Sequence, residues 1–313
     1  MTRSPTVVVV GGPTAGGKSA LALALAERLG GELVGADSRQ LYAGLSIAAA
    51  GPDDDDRARV PHHLYGTVPP TETLSAGRFV AMADGAIADV VARGRVAVVV
   101  GGTGLYLRAL RTGLDDGLPS DAAVRAQLDE ELRARGLRAL VERLRTLDAA
   151  ALHGLDVQNP VRVVRALELA MLGASASVRD VDAVLQRPPR AIVGDARWLL
   201  VCHEPSTLAA RIERRARHMF ASPAIVDEAV ALARVLPAEH ALLQTIGIAE
   251  ALAVAHGSLD VEAAITQTSA RTRQYARRQR TWFKKEPWWT EIRSQGDDGV
   301  EAAVAVIVRG APP

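Results

Sequence analysis

Val7-Val8-Val9-Val10-Gly11-Gly12-Pro13-Thr14-Ala15-Gly16-Gly17-Lys18-Ser19, running on into Ala20-Leu21-Ala22-Leu23, passes from a β-branched run through a glycine-rich turn into an alanine/leucine segment. Residues 6–10 read as a strand covered on both faces, because parallel strands buried between helices show continuous rather than alternating hydrophobicity. Residues 19–29 read as a helix closed by Gly30-Gly31. The turn between them matches the P-loop pattern, in the strand-before, helix-after context that the pattern needs. From average residue usage, a chance match somewhere in such a chain is on the order of one in a hundred. Gly12, Pro13, Thr14, Ala15, Gly16 and Gly17 would let backbone amides converge on an anion. The helix start adds its dipole, Lys18 a charge, and the Ser19 hydroxyl can hold Mg²⁺. The turn thus predicts a diphosphate cradle without saying which diphosphate.

Outward from this turn the pattern repeats. Residues 95–100 followed by Gly101-Gly102 read as a second buried strand, with a short strand over 32–36 and a helix over 75–93 in between. Strands alternating with helices predict an α/β fold with a right-handed, doubly wound parallel sheet. Residues 120–173 turn almost entirely helical, with Asp121 and Asn159-Pro160 as helix starts. Residues 198–202 supply another buried strand, residues 205–220 a helix, and a helical remainder runs to about residue 285. The expected organisation is a P-loop core over 1–118, a mostly helical insertion domain over 119–190, and a return to the core over 191–313. The acidic stretch 53–56 reads as a solvated loop, and the segment after Pro287 is weakly patterned.

Composition narrows the class. The chain has 313 residues, 48% apolar and 23% charged, which excludes a disordered protein and allows one large core or two medium ones. A net charge of +1 gives no whole-chain sign of a polyanionic partner. The single cysteine, Cys202, excludes an internal disulfide and a cysteine metal cluster, and fits a reducing compartment, hence the cytoplasm. No apolar run reaches the roughly 18 residues of a membrane span. The short run 7–10 stops at Gly11-Gly12, too early for a signal peptide.

Three further groups bear on chemistry. Nucleotide hydrolases of this architecture usually hold Mg²⁺ through an acid at the end of a second apolar strand. Here that strand runs into Gly101-Gly102-Thr103-Gly104, with no carboxylate, which weakens an ATPase reading and leaves a small-molecule kinase open. Asp37-Ser38-Arg39-Gln40-Leu41-Tyr42 follows the second strand at the carboxyl edge of the sheet, where ligands of such folds bind. Asp37 there is a general base or metal ligand, or else a turn cap. Thr103, in a glycine-flanked turn, can reach the same crevice. Arg211, Arg214, Arg215 and Arg217 crowd one helix, and Arg211 and Arg215, four apart, can serve a diphosphate as bidentate donors. Finally, Arg271, Arg273, Arg277, Arg278, Arg280, Lys284 and Lys285 form a basic run with Gln274, Tyr275, Gln279, Trp282 and Phe283 interleaved. Such a run can neutralise phosphates while its aromatics stack on unpaired bases, or else its aromatics face the core. His62-His63 makes a poor metal pair, since neighbours on an extended segment point apart, and a structural role is favoured. Cys202 reads as inert core, and Trp288-Trp289 as packing for the tail.

Taken in order, these residues resemble the bacterial tRNA dimethylallyltransferases. The resemblance rests on Gly12 to Ser19, Asp37-Ser38-Arg39-Gln40-Leu41-Tyr42, His62-His63-Leu64, Ser75-Ala76-Gly77-Arg78-Phe79 and Val100-Gly101-Gly102-Thr103-Gly104-Leu105-Tyr106. It continues in Arg162-Val163-Val164-Arg165-Ala166-Leu167-Glu168 and in Arg273-Gln274-Tyr275-Ala276-Arg277-Arg278-Gln279 with Thr281-Trp282-Phe283. It implies transfer of a dimethylallyl group from dimethylallyl diphosphate to the exocyclic N6 amine of the adenine 3′ of the anticodon in tRNA, with Mg²⁺ as cofactor. On that reading residues 12–19 cradle the prenyl diphosphate, and Lys18, Ser19, Arg211 and Arg215 neutralise it as it leaves. Ser19, joined by Asp37, would hold the metal. Asp37 is the base on the amine, Thr103 lies beside the adenine, and Gln40 touches the flipped base or its neighbour. Ser38, Arg39, Arg162, Arg165, Arg273, Gln274, Arg277, Arg278 and Arg280 join them in gripping the anticodon stem-loop. The resemblance also favours a monomer free of membranes.

The chain departs from that family pattern in three places. Gln158-Asn159-Pro160-Val161-Arg162 stands where Asn-Asp-Pro-Gln-Arg is usual. Gly247-Ile248-Ala249-Glu250 stands where an aromatic and a basic residue would follow the glycine. Residues 178–185 do not match the usual segment after the insertion.

Overall fold

Every residue of the first strand, β1 (Val7–Gly11), is buried, as its β-branched sequence requires. The computed structural model describes residues 5–114, 119–174, 184–293 and 296–309; most of the divergent segment 178–185 lies outside them. The other strands are β2 (Glu32–Gly35), β3 (His62–His63), β4 (Ala97–Gly101), β5 (Arg197–Val201) and β6 (Thr290–Ile292). They form one six-stranded sheet in the order β3-β2-β4-β1-β5-β6, with every pairing parallel. Successive side chains of β1 face opposite ways: Val7 and Val9 enter one core with Phe79 and Ile87, while Val8 and Val10 enter another with Leu21 and Leu25. β1 and β4 end in register at Gly11 and Gly101. A Cβ on Gly11 would lie 2.7 Å from the Trp289 ring, and one on Gly101 would collide with the Ala36 backbone. These glycines let the strand ends converge where the site is built.

The chain separates into two compact units, Met1–Gly113 with Pro188–Pro313, and Leu114–Arg187; sequence reading puts the insertion at 119–190. The first unit adds helices α1 (Lys18–Leu29), α2 (Asp54–Arg59), α3 (Ala76–Ala92) and α4 (Gly104–Thr112) before the insertion. The second contains α5 (Ala122–Leu147) and α6 (Pro160–Met171). After it come α7 (Pro205–Met219), α8 (Ala224–Val235), α9 (Ile248–Ala255), α10 (Val261–Phe283) and α11 (Gly296–Arg309). In the second unit the helix starts lie where sequence places them. Asp121 accepts the amides of Ala123 and Val124, and Asn159 those of Val161 and Arg162, each satisfying first-turn donors. Its core is its own, built on Leu128, Leu140, Leu144, Val163 and Leu167.

Two expectations are corrected. The acidic stretch 53–56 is not merely a loop: Asp53 caps α2 by accepting the Asp56 amide at 2.8 Å, and acids suit a helix N-terminus. The tail after Pro287 is also structured, with β6 pairing alongside β5 and Ala303 and Ile307 of α11 buried against Val8 and Val10. A three-residue strand is too short to leave a periodic signal. The bihistidine is structural as read, with His62 Nδ1 on the Val60 carbonyl and His63 Nε2 on the Glu32 carboxylate, 2.8 and 2.7 Å. Cys202 sits half-buried just past β5, its thiol pushed up chiefly by burial. Among the described residues no helix is long and apolar enough to cross a membrane.

Candidate active site

The P-loop leaves β1 at Gly11, turns through Gly12 to Gly17, and enters α1 at Lys18. Gly17 has φ of 81°, a left-handed conformation that glycine adopts at low cost, and this aims the first amides of α1 back over the turn. The loop is braced within itself and from neighbouring elements. Gly16 N–H donates to the Pro13 carbonyl at 3.1 Å. Arg211 Nε donates to the Ala15 carbonyl at 2.8 Å. Arg215 reaches over to donate to the Thr14 hydroxyl at 2.7 Å and the Ala48 carbonyl at 3.1 Å.

In front of the loop lies a cleft of about 410 Å³. Thr14, Ala15, Gly17, Lys18, Ser19, Asp37, Ser38, Arg39, Gln40, Arg215 and Arg278 line it, so one cavity gathers half of the residues that sequence nominates, Thr103 and Arg211 not among them. Asp37 stands at the end of β2, and its Oδ1 accepts the Arg39 amide at 3.0 Å. The turn-capping and chemical readings of Asp37 are therefore compatible, since among the described residues Oδ2 has no hydrogen bond. Ser38 N–H donates to Thr103 Oγ1 at 2.9 Å, which ties the Asp37 loop to the turn after β4. Gln40 is turned to bracing, donating Nε2 to the carbonyls of Ala49 and Ala50 at 3.0 and 2.7 Å.

The arginines of α7 divide. Arg215 faces the cleft, whereas Arg211 lines a separate depression behind the loop with Gly16 and Gly17. Arg217, not the other two, takes Glu213 as counter-ion, at 3.3 Å. Burial lowers Lys18 to about 8; Asp37 opposes that shift and Arg215 adds to it. Burial also lowers Arg215, again opposed by Asp37. Lys18 and Arg215 thus stand in the cleft with Arg39, Arg271 and Arg278, against Asp37 as the one carboxylate of its lining, an excess of positive charge that favours an anion.

The basic run lies on α10 as far as Arg280, with Lys284 and Lys285 just past its end, and sorts by helical period. Arg273, Gln274, Arg277 and Arg278 are exposed, Arg280 is half-buried, and Thr272, Ala276, Gln279 and Phe283 are buried. Arg271 is not an unopposed charge: it pairs with buried Glu250 at 2.5 Å and donates to the Gln244 carbonyl at 2.7 Å. The aromatics near its end face inward, so they are not free to stack on bases. Phe283 packs edge-to-face on Trp289, and Trp282 donates to Glu286 while Arg108 lies 4.1 Å over its ring. Tyr275 does line the cleft and lies beside Thr103.

Sequence reading missed Gln279. It is 5% exposed. Its Oε1 accepts the Thr14 amide and its Nε2 donates to the Gly102 carbonyl, both at 2.8 Å. Sorting the run into helix faces would have marked it, since positions 272, 276, 279 and 283 share one stripe.

In the second unit Arg162 is exposed. Arg165 pairs with buried Glu168 at 2.6 Å and donates to the Pro119 carbonyl at 3.0 Å. Burial pushes the Glu168 carboxyl up, but hydrogen bonds from Arg125, Arg165, Ser120 and the Asp121 amide outweigh it and hold the group at about 2. Arg165 is thus partly spoken for by the fold. Of the two other departures, Val161 is exposed, whereas Ile248 is fully buried and sits where the core needs an apolar residue.

Fold and site together define a P-loop α/β protein whose cradle faces a carboxylate and a basic helix, with a helical second unit inserted in the chain. The sequence profile of the IPP transferases matches residues 40–286. The chain belongs to that family. Among similar proteins are the tRNA dimethylallyltransferase of Anaeromyxobacter sp. (strain K), 44% identical over 98% of both chains, and that of Halorhodospira halophila, 41% identical over 97% of both. The crystal structure of the tRNA isopentenylpyrophosphate transferase from Bacillus halodurans is 29% identical, with a TM-score of 0.67, covering 98% of this chain and 96% of that one. A eukaryotic dimethylallyltransferase acting on tRNA, at 23% identity and a TM-score of 0.76, covers 99% of this chain and 81% of its own and shares the fold.

Proposed function

We infer that this chain is a tRNA dimethylallyltransferase, moving a dimethylallyl group from dimethylallyl diphosphate to N6 of the adenine 3′ of the anticodon. The observation that carries the chemistry is the single cleft holding a P-loop, Lys18, Arg215 and Asp37, with no acid where β4 ends. In the reaction the C1–O bond of the donor breaks and diphosphate leaves with the electron pair. The adenine nitrogen forms the new C–N bond, and its proton passes to the Asp37 carboxylate. An allylic C–O bond ionises readily once the leaving charge is neutralised, so catalysis is mainly positioning and preorganised positive charge. The first-turn amides of α1, Lys18 and Arg215 supply that charge. Arg211 holds the loop from behind. Thr103, fastened to Ser38 and beside Tyr275, shapes the place where the adenine enters, and extrusion of that base costs less from an anticodon loop than from a duplex.

Mg²⁺ fits this site. Ser19 and Asp37 offer hard oxygen donors in the cleft, and among the described residues no group of three or more His, Cys, Asp or Glu could hold a metal alone. Mg²⁺ typically takes one or two protein oxygens and completes its shell with substrate phosphates and water. When bound, it would share the diphosphate charge.

The exposed face of α10, with Arg273, Gln274, Arg277 and Arg278, is our tRNA-gripping surface, joined by Arg39 in the cleft; Arg162, exposed on the second unit, is proposed by itself as a tRNA contact. Given a tRNA substrate, we take the cytoplasm as its place of action. Incubation with dimethylallyl diphosphate, Mg²⁺ and either unmodified tRNA or AMP tests the whole reading: prenyl transfer to tRNA is expected, and transfer only to AMP, or turnover only with ATP, would refute it.

Two further results are expected. Replacing Arg273 and Arg277 together by alanine should weaken tRNA binding and flatten its dependence on log salt by roughly 0.7–0.9 for each phosphate no longer neutralised; an unchanged slope in a filter-binding titration would place the RNA elsewhere. Because Lys18 is lowered to about 8, the free enzyme loses that charge as pH rises through 8. Affinity for the unreactive thiolo analogue of dimethylallyl diphosphate should therefore fall between pH 7 and 9.5, with proton uptake on binding. Calorimetry in buffers of different ionisation enthalpy measures both, and a pH-independent affinity would contradict the assignment.

A further inference from the structure

The helix that displays the basic residues also fastens the diphosphate cradle. Tyr275, Gln279 and Trp282 are spaced four and three apart and so lie on one face of α10. All three meet the β4–α4 turn: Tyr275 touches Thr103, Gln279 holds the Gly102 carbonyl, and Trp282 lies so close to Gly104 that a Cβ there would collide with its ring. Gln279 alone of the three also reaches the P-loop, through the Thr14 amide. Thr14 is thus gripped from two directions, its N–H by Gln279 and its hydroxyl by Arg215.

These hydrogen bonds connect two binding surfaces with one side chain. Phosphates drawn onto Arg273 and Arg277 act on a single 23-residue helix. Any displacement of its inner face moves Gln279 Oε1 and with it Thr14. In the reverse direction, a diphosphate that engages Arg215 changes the hold on the Thr14 hydroxyl, and the strain returns to α10 through the amide. Coupling of this kind is reciprocal in binding free energy.

We propose that Gln279 is a positioning residue that couples tRNA on the outer face of α10 to the conformation of the P-loop, so that each substrate tightens the other. The proposal rests on the reading of the substrates given above. Its test is the dissociation constant of the thiolo analogue, measured on the full chain with and without saturating anticodon stem-loop. For the wild type, bound stem-loop is expected to tighten the analogue about fivefold or more. For Gln279→Met, nearly isosteric but without donor or acceptor, the ratio should fall to within about twofold of one, with stem-loop affinity alone preserved. A purely structural defect would weaken the single affinities and leave their ratio unchanged. Should Gln279→Met not fold, Gln279→Asn, one methylene too short to span both partners, gives the same reading. An untightened wild type, or a variant with the full wild-type ratio, overturns the proposal. A wild type that binds neither ligand refutes the substrate assignment instead.

Discussion

With Lys18 replaced by methionine, prenyl transfer is expected to fall by about 10²–10³ in kcat, the usual loss when one preorganised charge or donor is removed from a developing anion. Lys18 sits at the start of α1, half-buried, with Asp37 and Arg215 in the same cleft. Methionine keeps the apolar stem and removes the charge. The loss should appear in single-turnover rates with tRNA saturating, and tRNA affinity should stay within about twofold, since we assign Lys18 to the diphosphate. A variant that retains more than a tenth of the wild-type rate would exclude Lys18 from stabilising the leaving group.

Asp37→Asn tests the other half of the reaction. Its amide oxygen can still accept the Arg39 N–H that Asp37 Oδ1 accepts at 3.0 Å, so the turn survives while the base is lost. General base catalysis typically contributes 10²–10⁴-fold, and kcat should fall by about 10² or more. Asp37→Ala should lose as much activity and in addition some thermal stability, because the turn loses its acceptor. Comparing melting temperatures of the two variants separates the roles. Turnover of Asp37→Asn at the wild-type rate would remove the carboxylate from the mechanism.

The parts of the fold legible in the sequence are those with long or chemically constrained signals. Four consecutive valines ending in glycine can hardly be anything but a buried strand before a turn, and Asp121 and Asn159-Pro160 declare helix starts by side-chain chemistry. β6 was not legible, because Thr290–Ile292 is defined by what it pairs with rather than by its own pattern. The site divides in the same way. Lys18, Ser19 and Asp37 are marked by motif, whereas the separation of Arg211 from Arg215 depends on how α7 crosses the loop, which spacing alone does not give. Gln279 and Arg271 were masked by their neighbours: in a run dense with positive charge, attention goes to what is exposed, while the buried stripe does the fastening.

The sheet closes late. Thr6, at the mouth of β1, is fastened to Asp195, 189 positions further along the chain, and Gly11 receives the Trp289 ring from near the other end. During synthesis β1 therefore has to wait until Asp195 and Trp289 have been made before these neighbours arrive. Leu114–Arg187, with its own local core, can meanwhile be packed. Non-local pairing of this sort slows folding and leaves apolar edges exposed in the interval. The cradle is thus made well before the distant residues, Gln279 and Trp289, that complete its surroundings.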